Sequence, residues 1–299
     1  MTALRELLQD SIDYAGLFPP AGLDLAASAH NYAAYRRGAH SWALGRFILP
    51  LSRLKEFELA ADPFLSRQPA AEPWRLGALA GGSAREDIAA LGEFNCRHAA
   101  AGATAVSADV VELKADSVAA IGHALERLPS YLQAYVEIPI DADPAPLVDA
   151  IARHGARAKV RTGGVTREAF PTPAELLRFL RACARAGVAF KATAGLHHPL
   201  RGDYRLTYAP DSPIGTMFGF LNVFLATAFL RQGMGDDDVA RLLEEESIGT
   251  FHFSADAIGW RGYRLGLEAI HAARREGIVS FGSCSFTEPV ADLTVLGLL

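Results

Sequence analysis

From residue 45 to the C-terminus the chain repeats one unit, a short strand-like segment followed by a helical one, and this alternation limits the fold more than any other feature. Strands are expected at 45–50, 74–82, 109–116, 132–140, 156–164, 188–198, 250–256 and 278–286, each followed by a helix. Eight such units in about 255 residues are the pattern of an α/β protein of the (β/α)8 TIM barrel class. The expected organisation is an N-terminal cap over 1–44 and a single barrel over 45–299, with a long loop and helical insertion after the sixth strand. An open doubly wound sheet would carry a glycine-rich fingerprint at its first turn. The two Gly-Gly turns here, Gly81-Gly82 and Gly163-Gly164, lack the GxGxxG spacing.

The most sharply drawn unit spans 156–198. ARAKVRTGG sets Arg157, Lys159 and Arg161 on one face and Ala158 and Val160 on the other. The helix that follows has Thr172 as its cap, Pro173 at its first position, Glu175 to close a capping box and Gly187 just past its end. VAFKATAGLHH then places Lys191, Thr193 and His197 together on one side. Helices cover the outer face of a parallel barrel, so that face is apolar and the cations point inward. An unpaired buried charge costs several kcal/mol, so each of these needs a counter-charge or a wet, ligand-bearing cavity.

Lysine usage sharpens this reading. The chain holds 29 Lys plus Arg, yet only Lys55, Lys114, Lys159 and Lys191 are lysines, and three of them fall on expected strands. Arginine supplies solvated charge throughout, whereas lysine offers a primary amine able to act as nucleophile or base.

A net charge of −5 and a pI near 6 argue against nucleic acid as the main partner. Three widely spaced cysteines make neither a disulfide framework nor a zinc pattern. The first residues lack a basic start followed by an apolar run, so a cytoplasmic location is expected. The apolar stretch 217–230 is too short to span a bilayer and is interrupted by Asn222, so a buried helix, not a membrane segment, is expected there. Surface apolar residues leave room for a homo-oligomer.

Candidate residues gather at the C-terminal ends of the expected strands, where barrel chemistry takes place. Glu112 and Lys114 lie on the third, Glu137 on the fourth, Lys159 and Arg161 on the fifth, Lys191 on the sixth, and His252 and Ser254 on the seventh. The loop at 197–215 carries His197, His198, Arg201, Asp203, Tyr204 and Arg205, and reads as an ordered lid. Asp13 and Tyr14 read as part of a turn.

The run FKATAG at 190–195 resembles the lysine-bearing strand of the class I aldolases, above all the deoxyribose-phosphate aldolase branch, in which that lysine forms a Schiff base with the substrate carbonyl. The resemblance implies this role for Lys191. GATAVSADVVEL is similar to the stretch leading to that family's proton-relay aspartate, which implies Asp109. FGSCS at 281–285 resembles its phosphate-binding serine turn, which implies Ser283 and Ser285. His252 stands where the family has a second lysine. Lys159 and Arg161 are expected to supply the missing positive field, lowering the pKa of Lys191. The longer run RTGGVT…FPTP…FKATAGLHHPLR also resembles a bacterial (β/α)8-barrel family with no activity attached.

The expected function is thus a Schiff-base aldolase or lyase acting on a small phosphorylated or carboxylated carbonyl compound, with no cofactor and no metal. Lys191 would attack the carbonyl, Lys159 would tune it, and Glu137 or Asp109 would move protons. Arg161, Gly163, Gly164, Thr193, His197, His198, His252, Ser283 and Ser285 would hold the substrate. Two alternatives stay open. One is a metal-dependent barrel enzyme, enolase-like or hydrolase-like, built on His197, His198, His252, Glu137 and Asp256. The other is a non-catalytic barrel that binds a small anion, its lysines neutralised by Glu112 and Glu137.

Overall fold

The computed structural model describes residues 2–65, 72–81, 84–99, 105–126 and 128–299, without the side chains of 84 and 85. Eight parallel strands close into a barrel: β1 (Ile12–Tyr14), β2 (Leu44–Pro50), β3 (Trp74–Leu79), β4 (Val106–Lys114), β5 (Gln133–Glu137), β6 (Arg157–Arg161), β7 (Phe190–Thr193) and β8 (Ile278–Ser283). Neighbours pair in chain order and β8 returns to β1, with Ile12 opposite Phe281. Helices alternate with the strands on the outside, giving a (β/α)8 TIM barrel.

The barrel begins earlier than the spacing predicts. Ile12–Tyr14 pairs in parallel with both β2 and β8, so residues 1–44 supply a barrel strand in addition to the helix Leu25–Arg37. A three-residue strand with an aspartate at its centre gives no periodic signal. The segment expected as the seventh strand lies outside the barrel. There, Phe251–Phe253 pairs antiparallel with Ala257–Trp260, which pairs in turn with Tyr263–Gly266. Ser254 makes the first of these turns, its hydroxyl accepting from the Ala257 amide at 3.0 Å and donating to Asp256 at 2.8 Å. Local turn chemistry thus folds the strand back on its neighbour. Residues 100–104, where the end of the helix expected after the second strand and the GAT of the aldolase-like run fall, lie outside the described residues.

Outward residues such as Val111, Val136, Val160, Phe190 and Ala192 are buried against the helices. The helix Pro173–Ala186 fixes β7. Thr172 Oγ1 accepts from the Glu175 amide at 3.2 Å, Glu175 Oε2 accepts from the Thr172 amide at 2.7 Å, and Gly187 ends the helix at φ 66. Its Phe179 packs edge-on to Phe190 with ring centroids 5.2 Å apart. With Phe190 and Ala192 held outward, strand alternation turns Lys191 into the barrel.

The stretch 217–230 contains the buried helix Phe220–Arg231. Asn222 donates to the carbonyls of Leu242 and Glu245 at 2.7 and 2.8 Å and accepts from the Arg201 amide at 2.9 Å, which accounts for a polar residue in apolar company. Among the described residues no helix is long and apolar enough to cross a membrane. Before this helix, the long loop carries an antiparallel hairpin of Gly202–Arg205 with Ile214–Met217.

Candidate functional site

The interior of the barrel holds a ladder of alternating charge. Lys191 Nζ lies 2.6 Å from Asp13 Oδ2 and 2.7 Å from Glu112 Oε1. Lys159 Nζ lies 2.7 Å from Glu112 Oε2 and 2.8 Å from Glu137 Oε2. The order is Asp13, Lys191, Glu112, Lys159, Glu137, drawn from β1, β7, β4, β6 and β5. At the outer end, Glu137 Oε1 lies 3.5 Å from Lys114 and 3.6 Å from Arg161. The two central lysines are 2 % and 4 % exposed, so each charge depends on its partners for solvation.

Small residues make room for the carboxylates. A side chain at Gly45 would meet Asp13 Oδ1 at 2.4 Å, and one at Gly77 would meet Ile48 at 2.7 Å and Glu112 Oε1 at 3.6 Å. Asp13 is held further by the Arg46 amide and the Ser280 hydroxyl, each donating at 2.8 Å. Below Lys191 lies Tyr135, whose ring centre is 5.7 Å from Nζ and whose hydroxyl accepts from Arg157 at 2.8 Å.

The ladder is not sealed. Glu112, Glu137, Lys159 and Lys191 line one cavity of about 370 Å³ at the C-terminal ends of the strands, together with Lys114, Arg161 and Thr193. Ala15, Phe18 and Pro19 after β1, Gly164 and Val165 after β6, Ala194 and His197 after β7, and Cys284 after β8 also line it, with Ile48, Leu79 and Gly282 from the strands. Ala194 takes a left-handed φ of 60, unusual for a residue with a side chain, and its carbonyl accepts from Thr162 Oγ1 at 2.6 Å. That volume matches roughly 12 waters at about 30 Å³ each, the size range of a small metabolite.

Electrostatics fix the resting protonation states. Burial pulls the Glu112 carboxyl up, but the ammonium groups of Lys159 and Lys191 outweigh it and bring its pKa down to about 2. Burial likewise raises the Glu137 carboxyl, and Lys159 outweighs it, so that its pKa is lowered. For Lys191 burial favours the neutral amine, yet Asp13 and Glu112 outweigh it and raise its pKa. The expectation that Lys159 would lower the pKa of Lys191 is therefore corrected. Glu112 stands between the two amines, and each lysine sees a carboxylate before it sees the other lysine.

Several candidates lie away from the cavity. Asp109 forms a two-point pair with Arg46 at 2.8 and 2.6 Å and sits three residues before Glu112, roughly 10 Å nearer the N-terminal end of β4. His252 is exposed on the outer antiparallel sheet. His198 stacks on Tyr204 with ring centres 3.6 Å apart and bonds Asp292 at 2.6 Å. Ser283 donates to the Ser285 carbonyl at 2.7 Å, and Ser285 Oγ accepts from the Glu288 amide at 3.1 Å, so both serve the turn into the last helix. Gly163 is packed under Phe170, whose ring would meet an added side chain at 2.4 Å. The donor set His197, His198, His252, Glu137 and Asp256 does not converge. Among the described residues no group of three His, Cys, Asp or Glu stands at metal-binding spacing.

Sequence reasoning missed Asp13 as a site residue, because its strand was not visible, and missed Cys284 and Glu288. His197 is buried at the cavity wall with Nδ1 3.3 Å from Glu288 Oε2. Burial works against its charged form, but bonds to Cys284 and Glu288 prevail and lift its pKa to about 9. No protein-family model and no curated protein sequence matches the chain.

Proposed function

We propose that the chain is a lysine-centred enzyme of the aldolase or lyase type, forming a Schiff base between Lys191 and a small anionic carbonyl compound. The observation that carries this reading is that two buried lysines and two carboxylates share the wall of one open cavity at the catalytic end of a barrel. A buried ion network is weak as a stabilising device compared with apolar packing, so its position beside a void favours chemistry.

Imine formation requires the neutral amine. Lys191 can pass a proton to Asp13 or Glu112, both within 2.7 Å, as the substrate carbonyl displaces part of the ladder's solvation. The amine lone pair then bonds to the carbonyl carbon, the oxygen collects two protons and leaves as water, and the iminium becomes the electron sink for carbon–carbon cleavage or enolisation. Lys114 and Arg161, at the exposed end of the ladder, suit the substrate's phosphate or carboxylate. Glu137 lies between this anion end and Lys159, placed to shuttle a proton.

Because carboxylates hold Lys191 protonated at rest, a second reading has support: a site that binds an anion through fixed ammonium groups without covalent chemistry. Borohydride reduction in the presence of small aldehydes and ketones bearing phosphate or carboxylate separates the two. The proposal expects a reduced adduct, mapped by peptide mass to Lys191 and absent from Lys191→Met. Protection of the site without any adduct on Lys191 would replace it with the non-covalent reading.

A further inference from the structure

One group of reactive side chains on the cavity wall is not used by the lysine ladder. Cys284, the residue after β8, and His197, in the loop after β7, both line the cavity. His197 Nδ1 lies 3.9 Å from Cys284 Sγ, within contact for a sulfur hydrogen bond, and 3.3 Å from Glu288 Oε2. Tyr208, from the tip of the hairpin loop, brings its hydroxyl to 3.5 Å from the same sulfur and 3.1 Å from Glu288 Oε2. Two separate elements thus converge on one thiol with Glu288 beside both of its neighbours, and the helix Thr287–Val295 sets Glu288 through the bond of its amide to Ser285 Oγ.

The other two cysteines differ in kind. Cys183 is buried in the core on the helix Pro173–Ala186, where burial pushes its thiol pKa up. Cys96 is exposed on the helix Ala84–Ala99. A thiol in an apolar core is inert, whereas one beside an imidazole and open to a cavity is a nucleophile candidate.

We propose that Cys284 is a nucleophilic thiol of this cavity that adds to the carbonyl carbon of a small aldehyde, with His197 as proton donor to the carbonyl oxygen and Glu288 holding the imidazolium. An Sγ–C bond forms as the C=O π pair moves onto oxygen, which takes the proton from His197 Nδ1. The Sγ proton replaces it on Nδ1, leaving a neutral hemithioacetal. Nothing is oxidised or reduced. Glu288, beside the same nitrogen, faces the imidazolium at both ends of the step, and Tyr208 lies beside the sulfur while its hydroxyl donates to Glu288. The aldehyde class rests on the Schiff-base reading, since thiols add to aldehydes more favourably than to ketones, but the reactivity of the thiol does not.

The test is iodoacetamide alkylation of the full-length protein, with rates read at each cysteine by peptide mass. Although buried, Cys284 is expected to react faster than exposed Cys96. His197→Gln is expected to slow Cys284 by at least tenfold and leave Cys96 unchanged. Propionaldehyde is expected to protect Cys284 and not Cys96, and to do so also in Lys191→Met, which separates a thiol adduct from an imine. Cys183 reports folding: a His197 variant that labels there has unfolded, and Glu288→Gln then takes its place with the same slowing expected. The proposal is overturned if Cys284 reacts no faster than Cys96, if its rate is unchanged in the folded variant, or if propionaldehyde gives no protection. Borohydride trapping reads Lys191 and alkylation reads Cys284, so either proposal can fail alone.

Discussion

Glu112→Gln is expected to lower the unfolding free energy at neutral pH by about 3–5 kcal/mol, the usual cost of removing one partner from a buried ion pair. Glu112 is the central member of the ladder, with one oxygen 2.7 Å from Lys191 and the other 2.7 Å from Lys159. A glutamine keeps the shape but offers a neutral oxygen and an amide that would donate toward an ammonium. Each lysine then loses one of its two carboxylates, Lys191 keeping Asp13 and Lys159 keeping Glu137, and burial, which favours the neutral amine, regains influence over Lys191. Urea unfolding at pH 7 measures the loss. A change below about 1 kcal/mol, the size seen for solvated pairs, would mean that the ladder is wetter than its burial implies.

The advantage of the wild type over Glu112→Gln is expected to vanish in acid. The Glu112 carboxyl, with an ordinary pKa of 4.5, is lowered to about 2 in the folded chain, burial acting against the shift and Lys159 and Lys191 driving it. A carboxyl lowered by folding contributes stability that is fully present above its unfolded pKa and is lost as pH falls through its folded one. The window therefore runs from about pH 4.5 down to about pH 2, and the contribution at stake is on the order of 3 kcal/mol. Other acids titrate in the same range, but they are common to both proteins and cancel in the difference. Unfolding of the pair measured from pH 7 to 2 should give a constant gap above pH 5 that closes toward pH 2. A gap that stays constant to pH 2 would place the carboxyl outside the lysines' field.

The sequence makes the barrel class legible because seven of its strands are long enough to show alternation and their helices are well delimited, as at Thr172–Gly187. It misleads at the two places where strand identity depends on pairing instead of pattern. Ile12–Tyr14 is three residues long with a charge at its centre, and it becomes a strand only because β2 and β8 lie on either side. Phe251–Phe253 alternates as a barrel strand would, yet Ser254 turns it into a hairpin.

The same division holds for the site. Lys159 and Lys191 could be placed in the interior from alternation and from the scarcity of lysine, and Glu137 from its neighbouring strand. That Glu112 bridges the two amines depends on the barrel's register, Lys159 opposite Lys191 and Glu112 three strands away from β7, which no local pattern contains. Asp13 was hidden with its strand. Ser283 and Ser285 carried a motif resemblance, but their hydroxyls are used in building the last turn.

The most direct measurement follows from the chain having four lysines. With ¹⁵N in the lysine side chains alone, the protein gives four ammonium positions, those of Lys159 and Lys191 protected from water by burial. The account predicts that a small anionic carbonyl compound moves both of these signals and extinguishes the ammonium signal of Lys191 as the imine forms, while Lys55 stays unchanged. Spectra in which Lys159 and Lys191 keep their positions throughout a panel of such compounds would contradict it and leave the ladder as internal architecture.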